Sequence, residues 1–568
     1  MKKGFLVTVL TIAALTALTA CGSGGSTGGS STGESSPQSS AVSENSGEEK
    51  ILTIQLGPNP ESIDPALNSS VDGGNYLIFA FDNLLGSDKD GNAIPALAEK
   101  YEKSDDGLTW TFHLRDGLKW SDGSDFKASD FVYSWQRVVD PNTASPYSQT
   151  VLGMVAGYED AIGNPDEKGD TTTEPDPTKL QVEAPDDKTL VVHMATPCPY
   201  FDKLAFFPSL APVKQSVVEA DPDGWSISPE KYISTGAFYL AEWVPDSYLL
   251  YKKNPYYWDK DSIKLDGIKC LLMEDKNAAF SAFESGNALM IKSIPTEEIT
   301  TIKERPDYHL DSNYGTYYIS LNVQKEMFKD ARVRQALSLA LDRKYISETI
   351  TADVYATGTH FVPTGVSDAD GTPFVEHPED ASAFINPNTF EENLQKAKEL
   401  MAEAGFPGGE GFPTITYTTN DQAYHKKIAE YLQQAWKELG VTVDVSIVEW
   451  KSFLPQRRAG EFEMARDGWV LDYNDPSNIL EVLKTGNGNN NGKYSNPDFD
   501  ALLNKAAKTT DSAARYKLLH QAEEMAMKDS AVIPLLYYNE PYLQSDEVKN
   551  SWHTSDGFWH FQYADIVQ

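Results

Sequence analysis

The carboxyl-terminal half of the chain contains hydrophobic patterns of two periods, one typical of helices and one typical of strands. Apolar side chains recur at helical spacing over Asn393–Ala404 and Ala423–Leu439, and a glycine follows each run. Short segments with the composition or alternation of strands lie at Thr414–Thr418 and Val441–Ile447. Strand, helix and strand with short connections predict a βαβ unit, and therefore a parallel sheet.

The next strand predicted is Phe462–Ala465, after a short helix near Ser452–Arg458. Arg466 and Asp472 follow it on either side of a Gly-Trp step, at the carboxyl end of a strand, where open α/β sheets place their ligands. A loop with one charge of each sign, an aromatic wall and a glycine suits a peptide or an amino acid. The alternative interpretation is a solvated surface turn, because Asn-Asp-Pro at residues 474–476 is strong turn sequence.

The amino-terminal half shows strand patterns first. Ile51–Leu56 predicts a buried strand, and the alternation over Trp110–Leu114 predicts another. Asp116–Gly117 then predicts a hairpin turn, and Ser129 or Asp130 is expected to cap an amphipathic helix.

The first 49 residues have a composition of their own. Residues 1–20 combine two lysines, a short apolar run and small residues before Cys21, as a secretory signal does. Leu-Thr-Ala-Cys resembles the lipobox of bacterial lipoproteins, which implies cleavage before Cys21 and lipidation of its sulfur. Residues 21–49 follow as a Gly/Ser-rich segment that we expect to be a disordered tether. We therefore predict an exported protein anchored to the cell membrane by lipid.

Composition narrows the classes of function. The remaining 520 or so residues exceed what one core usually supports, so two or three lobes are expected. A formal charge of −36 argues against nucleic acid and anionic lipid as partners. Cys198 and Cys270 are the only cysteines after Cys21, so one disulfide between them can form, but no metal site of cysteines can.

No catalytic or cofactor motif was found. After the Gly/Ser-rich segment of residues 21–49, where the composition alone produces Gly-x-Ser-x-Gly, the sequence lacks that motif. His-Glu-x-x-His, Cys-x-x-Cys and a phosphate-binding loop are absent from the whole sequence. Asp88-x-Asp90-Gly91 and Asp368-x-Asp370-Gly371 resemble fragments of calcium loops without the downstream ligands, and are interpreted as turns. Gly486–Gly492 is expected to be a mobile surface loop. We predict a binding protein without cofactor or metal.

Four sequence blocks, in order, resemble the family 5 solute-binding proteins. They are Leu-Arg-Asp-Gly with Lys-Trp-Ser-Asp-Gly at residues 114–123, Ser-Thr-Gly-Ala-Phe at 234–238, Asn-Pro-Tyr-Tyr-Trp at 254–258, and Asp-Ala-Arg-Val-Arg-Gln-Ala-Leu at 330–337. These proteins are the oligopeptide-binding components of ABC importers. The resemblance implies a bilobal α/β fold like that of periplasmic binding proteins, with two mixed-sheet lobes around a ligand cleft plus an extra subdomain. It implies lobe I at 50–81, 208–325 and 538–568, a subdomain at 82–207 packed on lobe I, and lobe II at 326–537.

The resemblance also implies the ligand-binding residues. Asp472 would bind the α-ammonium of a peptide, Arg466 the carboxylate of a short one, and Gly468 to Val470 its main chain as an added strand. The full set of matched positions is Ser69, Ser70, Val71, Trp450, Arg457, Arg466, Gly468, Trp469, Val470, Asp472 and Tyr538. Members of the family often carry an acid where Ser69 stands, so the chain departs from the pattern there. Tyr538 is the weakest match, since a buried core tyrosine fits there equally well.

The sequence thus predicts an extracytoplasmic lipoprotein that captures oligopeptides for a membrane ABC permease. We expect a monomer whose partners are the peptide, the permease subunits and, through its lipid, the membrane. A receptor for a peptide pheromone, a nickel chelate or a sugar on the same fold is the alternative within the binding class. A cell-surface hydrolase or adhesin is disfavoured, since neither a nucleophile–base motif nor repeats occur.

Overall fold

The computed structural model describes residues 49–89, 91–164, 173–376 and 385–567. The predicted signal peptide, Cys21 and most of the predicted tether lie outside these ranges. None of the described helices combines the length and apolar character that crossing a bilayer requires.

The strands of the described residues are numbered in chain order. They are β1 (Ile51–Gly57), β2 (Leu85–Ser87), β3 (Ala93–Pro95), β4 (Ala98–Lys103), β5 (Thr109–Leu114), β6 (Val182–Asp186), β7 (Thr189–His193), β8 (Phe238–Val244), β9 (Tyr248–Lys253), β10 (Gly267–Leu272), β11 (Met290–Ile291), β12 (Tyr308–Leu321), β13 (Ala356–Thr357), β14 (Ile415–Asn420), β15 (Val443–Val448), β16 (Met464–Val470), β17 (Val532–Gln544), β18 (Val548–Lys549), β19 (Trp552–His553), β20 (Trp559–His560) and β21 (Asp565–Ile566).

The α-helices follow the same convention. They are α1 (Val71–Ala80), α2 (Ala128–Val139), α3 (Ser148–Leu152), α4 (Tyr158–Ile162), α5 (Phe201–Leu204), α6 (Gln215–Ala220), α7 (Lys276–Glu284), α8 (Thr296–Ile302), α9 (Ala331–Leu339), α10 (Arg343–Tyr345), α11 (Phe390–Glu403), α12 (Ala423–Lys437), α13 (Trp450–Arg458), α14 (Pro476–Leu480), α15 (Pro497–Ala507) and α16 (Ser512–Lys528).

The predicted βαβ unit is confirmed. β14 pairs in parallel with β15, Ile415 opposite Val443, and α12 connects the two strands. Gly405 and Gly440 follow the flanking helices with φ of 96° and 74°, the left-handed conformation that ends a helix. The alternating valines and the helical stripe therefore identify this part of the fold correctly.

One large mixed sheet passes through the described part of the chain. Its strand order is β15-β14-β16-β12-β17-β11-β1-β10-β9-β8, with β13 paired to β17. The long strands β12 and β17 run antiparallel at its centre, where β12 also pairs with β16 and β17 with β11. These two strands therefore join the two halves of this sheet.

A separate four-stranded sheet, β4-β5-β7-β6, lies between residues 98 and 193. The hairpin predicted at Asp116–Gly117 is wrong, because β5 pairs with β4 before it and with the distant β7. The α2 helix starts at Ala128 with Lys127 as its N-cap, so Ser129 is not the cap. Asp130 accepts a hydrogen bond from the Lys127 backbone amide. Long-range pairing has overridden local turn sequence here.

The described residues pack around several hydrophobic cores. One consists mainly of side chains between residues 84 and 210, and a second of side chains from the β1, β8–β10 and carboxyl-terminal regions. Two more lie on the faces of β12, β14, β16 and β17 within residues 317–536. Cys198 is buried in the first core and Cys270 in the second, and both are free, so the disulfide considered above does not form.

Two loops differ from their sequence interpretation in detail. Asp368 is buried and its carboxylate lies 2.6 Å from Nε2 of His520, while no group of three or more metal-ligating side chains occurs among the described residues. Asn490 and Asn491 are buried within the stretch predicted to be a surface loop. The Asn490 amide donates to the carbonyl oxygens of Leu483, Lys484 and Tyr494, and these bonds hold the loop against the protein.

Candidate functional site

The residues predicted to form a ligand loop belong mostly to a strand. β16 extends to Val470 because it pairs with β12 along its whole length, with Met464 opposite Leu321 and Val470 opposite Gly315. The prediction that the strand ends at Ala465 is therefore wrong, and the loop begins at Leu471.

The other edge of β16 is largely open. It pairs with β14 only at Met464 and Ala465, and within the described ranges no strand pairs with that edge from Arg466 to Val470. Unpaired backbone N–H and C=O groups on a strand edge are a template for another extended chain. Two backbone groups of this stretch are bonded to side chains: the Arg466 carbonyl accepts from the Arg457 guanidinium at 3.4 Å, and the Gly468 amide donates to the Asp467 carboxylate at 2.9 Å. The stretch predicted to bind a ligand main chain thus has an edge that no strand of the described residues occupies.

Asp472 lies just beyond this edge and is buried. Its carboxylate accepts hydrogen bonds from the Tyr147 hydroxyl at 3.2 Å and from Nδ2 of Asn478 at 3.1 Å. Asn478 also accepts hydrogen bonds from the Asp472 backbone amide and from Nε1 of Trp469, which fixes the loop. No cation lies within ion-pair distance of this carboxylate in the described part of the chain.

The electrostatics of Asp472 follow from that environment. Burial raises the pKa of Asp472 to about 6, and the hydrogen bonds from Asn478 and Tyr147 oppose the rise only in part. The carboxyl group of Asp556, whose pKa burial also raises to about 6, adds to the effect. A cation placed beside Asp472 would stabilise the ionised carboxylate and lower its pKa again.

Arg466 points into an aromatic cage. Its guanidinium donates to the Tyr538 hydroxyl at 3.0 Å and lies 5.3 Å and 5.7 Å from the ring centroids of Tyr317 and Trp450. These are cation–π distances. The structure therefore brings three of the predicted residues, Arg466, Tyr538 and Trp450, together.

Gly468 lies against the end of the Tyr538 side chain. A Cβ atom at this position would clash with the Tyr538 hydroxyl, and one at Gly315 on the paired strand would lie 2.9 Å from the carbonyl oxygen of Trp469. Both positions need a glycine for close approach of backbone and tyrosine ring.

Arg457 is placed differently from Arg466. It forms an ion pair with Asp467 at 2.8 Å, and Asp467 also accepts hydrogen bonds from Ser320 and Asn491. Successive strand residues face opposite sides of a sheet, so Asp467 points away from the side chain of Arg466. Arg457 thus has a partner inside the protein, and its contact with a ligand stays a prediction.

Ser69, Ser70 and Val71 lie at the start of α1. Ser70 is the N-cap and its hydroxyl accepts from the Gly73 amide at 3.1 Å, while Val71 is the first helical residue. Val71 packs close to Gly557, the residue after Asp556. The segment therefore lies near Asp556. Its pairing with the main chain of a ligand stays a prediction.

Seven polar or aromatic side chains in and near the candidate site are surrounded by protein and yet only partly buried. We refer to this set as the chamber residues. These side chains are Lys276, Lys292, Tyr355, Tyr424, Arg466, Tyr538 and Glu540. Three of these rings are in contact: the centroid of the Tyr355 ring lies 5.5 Å from that of Tyr538 and 5.7 Å from that of Tyr424.

Comparison with known sequences decides the family. The profile of the bacterial extracellular solute-binding proteins, family 5 Middle, matches residues 92–491. The chain belongs to this family. It is a binding protein and not an enzyme, as its family is defined by the binding of solutes.

Related proteins cover almost the whole chain. The periplasmic oligopeptide-binding protein OppA of Salmonella typhimurium is 35% identical over 86% of this chain and 88% of its own length. The oligopeptide-binding protein OppA of Bacillus subtilis is 30% identical over 99% of each. The crystal structure of Haemophilus influenzae OppA in complex with RPPGFSPFR superposes with a TM-score of 0.80 at 30% identity, covering 92% of this chain and all of the other. The bilobal α/β fold is confirmed.

In this family 5 protein the candidate site includes residues that the sequence did not indicate. Tyr424 and His425 lie in the first turn of α12, shortly after the end of β14, so the rule that ligands bind at strand carboxyl ends could have found them. Tyr147 and Lys276 are far from the motifs in the sequence, and no local pattern distinguishes them.

Residues 82–207 also reach the loop that carries Asp472. Besides the Tyr147 hydrogen bond, the rings of Tyr200 and Tyr473 stack at 4.4 Å, and Nζ of Lys203 donates to the Asn474 carbonyl at 2.9 Å. The predicted subdomain therefore contacts the candidate site directly, which the sequence did not indicate.

Proposed function

We propose that this protein captures oligopeptides outside the cytoplasm and delivers them to a membrane ABC transporter. One observation carries the proposal: an open strand edge at Arg466–Val470 leads to Asp472, a buried carboxylate without a cation. An extended peptide has the complementary groups, a main chain that pairs with an edge and an α-ammonium that pairs with a carboxylate. The names of the Salmonella and Bacillus relatives support peptides as the ligand class.

The spacing of the charges supports a peptide rather than a single amino acid. β16 is extended from Arg466 to Val470, so four residue steps of about 3.3 Å place these two Cα atoms about 13 Å apart, with Asp472 two residues further on. One amino acid is too short to reach over that distance. Main-chain pairing and a terminal ion pair do not depend on the side chains of the ligand, so this mode of binding suits peptides of varied sequence.

The remaining assignments complete the proposal. Lobe I at 50–81, 208–325 and 538–568 and lobe II at 326–537 close on the peptide, with 82–207 as the extra subdomain. Lipid on Cys21 holds the monomer at the cell membrane near the permease. Hinge closure is the usual response of binding proteins of this kind.

Calorimetric titration of pentaalanine and N-acetyl-pentaalanine tests the role of Asp472. We expect Asp472→Asn to weaken binding of the free peptide about thirtyfold or more, because the ammonium would stay buried without its partner. Acetylation should weaken binding to wild type similarly and weaken binding to Asp472→Asn little further.

Asp444→Asn is the matched control, since Asp444 is exposed on β15. Asp467 is unsuitable as a control because it is buried and paired with Arg457. Equal affinity of wild type for the free and the acetylated peptide would contradict the proposal. Mass spectrometry of ligands that co-purify with the protein would identify the natural solute independently.

A further inference from the structure

Lys276 is the first residue of α7 and one of the chamber residues. A lysine at this position opposes the helix macrodipole, whose positive end is the N-terminus. Helix stability therefore does not explain it, and the N-cap role is filled by Asp275, which accepts from the Ala278 amide at 2.8 Å.

The ammonium group of Lys276 has no close acidic partner. Across the described residues it makes no hydrogen bond and no ion pair within 4 Å, and burial lowers the pKa of Lys276. Glu540 and Glu297 act on it only from a distance. An enclosed cation without a partner costs stability, so a role outside the folded chain itself is indicated.

Lys292, another of the chamber residues, shows the contrasting arrangement. Its ammonium lies 3.0 Å from Asp72, and Glu540 contributes further attraction. The carboxylate of Glu540 in turn accepts from Nδ2 of Asn313 at 3.4 Å. Lys292 is thus internally neutralised and Lys276 is not.

The buried side chain of Gln55 fixes the positions of both lysines. Its amide nitrogen donates to the Met273 carbonyl at 2.9 Å and to the Ser293 hydroxyl at 3.0 Å, and its amide oxygen accepts from the Ser293 backbone. Met273 precedes the α7 N-terminus and Ser293 follows Lys292. One buried side chain thus holds together the two segments that carry Lys276 and Lys292.

The start of α7 lies close to the candidate ligand residues at the start of α1. Gln55 holds Met273 beside Ser293, and the adjacent Lys292 pairs with Asp72, the second residue of α1.

A second cation lies near the same region. Burial keeps the pKa of His425 well below its usual value, and the positive charges of Arg466 and then Lys276 lower it further. A negative group bound near these two cations would be attracted by both.

We propose that Lys276 is a specificity-determining residue whose ammonium group binds a carboxylate of the bound peptide. The inference rests on the proposed binding of peptides. A terminal carboxylate and an acidic side chain offer the same chemistry, and the experiment below separates them.

The test is titration of a length series of alanine peptides, as free acids and as C-terminal amides, into wild type and Lys276→Met. If the terminal carboxylate is the group bound, Lys276→Met should bind the free acid of the length that wild type binds best about thirtyfold or more weakly. Amidation should then weaken binding to wild type by a similar factor. If an acidic side chain is bound, the alanine peptides should bind both proteins alike, and replacing an internal glutamate by glutamine should weaken binding to wild type by that factor.

Two controls separate binding from structure. Lys276→Arg should retain most of the affinity, and Lys303→Met, which changes an exposed lysine near the end of α8, should retain all of it. The ligand-free Lys276→Met protein should unfold at the same or a higher temperature than wild type, because an unpaired charge has been removed.

The outcomes are distinct. Equal affinity of Lys276→Met and wild type for every acidic peptide would overturn the role of Lys276 while leaving peptide binding intact. Absence of binding of any peptide to wild type would overturn both proposals. A lowered unfolding temperature of ligand-free Lys276→Met would assign the lysine a structural role instead.

Discussion

Two buried carboxylates lie three residues apart in the loop after β16, and their surroundings differ. Asp475 receives two hydrogen bonds of 2.8 Å from the guanidinium of Arg515. Although burial acts to raise it, the pKa of Asp475 is lowered by Arg515. Asp472 has only neutral donors among the described residues, and burial raises its pKa to about 6.

The difference shows that burial alone does not define the role of a charged residue. The Asp475–Arg515 pair is complete inside the protein and caps α14 through the Ser477 amide. Asp472 is held just as firmly, but its charge is left uncompensated. A charge that is positioned but not paired indicates a partner that comes from outside.

The largest effect should come from breaking the complete pair. Arg515→Met leaves Asp475 buried without a cation, and we expect the free energy of unfolding to fall by about 3–5 kcal/mol. Denaturation by urea measures it. Arg332→Met, which removes a solvent-exposed pair with Asp330, should cost much less, because water screens exposed charges. Equal losses in the two variants would contradict the distinction.

A change of pH should separate the two carboxylates next. Because the pKa of Asp472 is raised in the folded protein, this residue lowers the free energy of unfolding of the ligand-free protein as the pH rises from about 4 to about 6. Only the ionised form attracts an ammonium, so peptide affinity should fall as the pH decreases below about 6, approaching about tenfold per pH unit. Asp475 stays ionised over this range because its pKa is lowered.

Calorimetric titrations between pH 4.5 and 7.5 on wild type and Asp472→Asn measure this dependence. Asp556 also has a pKa raised to about 6, so the variant keeps the part of the slope that Asp556 contributes. The difference between the two curves belongs to Asp472. Coincident slopes would show that Asp472 does not titrate with binding.

The smallest effect should come from Tyr147→Phe, which removes one neutral donor from Asp472. Loss of this hydrogen bond should raise the pKa of Asp472 further and weaken peptide binding at neutral pH by less than about tenfold, since one such bond contributes about 1 kcal/mol. The same pH titration should show its midpoint move upward. Tyr256→Phe, at a half-exposed ring, is the control. An unmoved or lowered midpoint would contradict the assignment.

The sequence predicts best those parts of the molecule whose pattern is periodic. The alternating valines of β15 and the apolar stripe of α12 predicted the βαβ unit, because the local sequence alone determines which face of each element is apolar. β16 was predicted too short, since Arg466, Asp467 and Gly468 have the composition of a loop and only pairing with β12 makes them a strand. The hairpin at Asp116–Gly117 failed for the same reason, since β5 pairs with the distant β7.

The site was predictable where its residues follow one another in the chain. Arg466, Gly468 and Asp472 could be proposed from one short stretch, and the structure places them along one strand edge and the adjoining loop. Tyr147, Lys276 and Glu540 come from three other regions, and their approach depends on tertiary packing. Arg457 and Arg466 cannot be distinguished from the sequence alone. In the structure Arg457 pairs with Asp467, whereas Arg466 faces the aromatic rings, because successive residues of β16 point to opposite sides of the sheet.

The long central strands β12 and β17 have a consequence for how the protein comes apart. Each supplies hydrogen-bond partners to both halves of the sheet, so neither half can lose its structure without leaving the other with a bare edge. Bare edges pair readily with other chains. Folding of the two lobes is therefore coupled through the backbone itself, and a partly unfolded molecule would be a species that aggregates rather than an intact lobe with a loose neighbour.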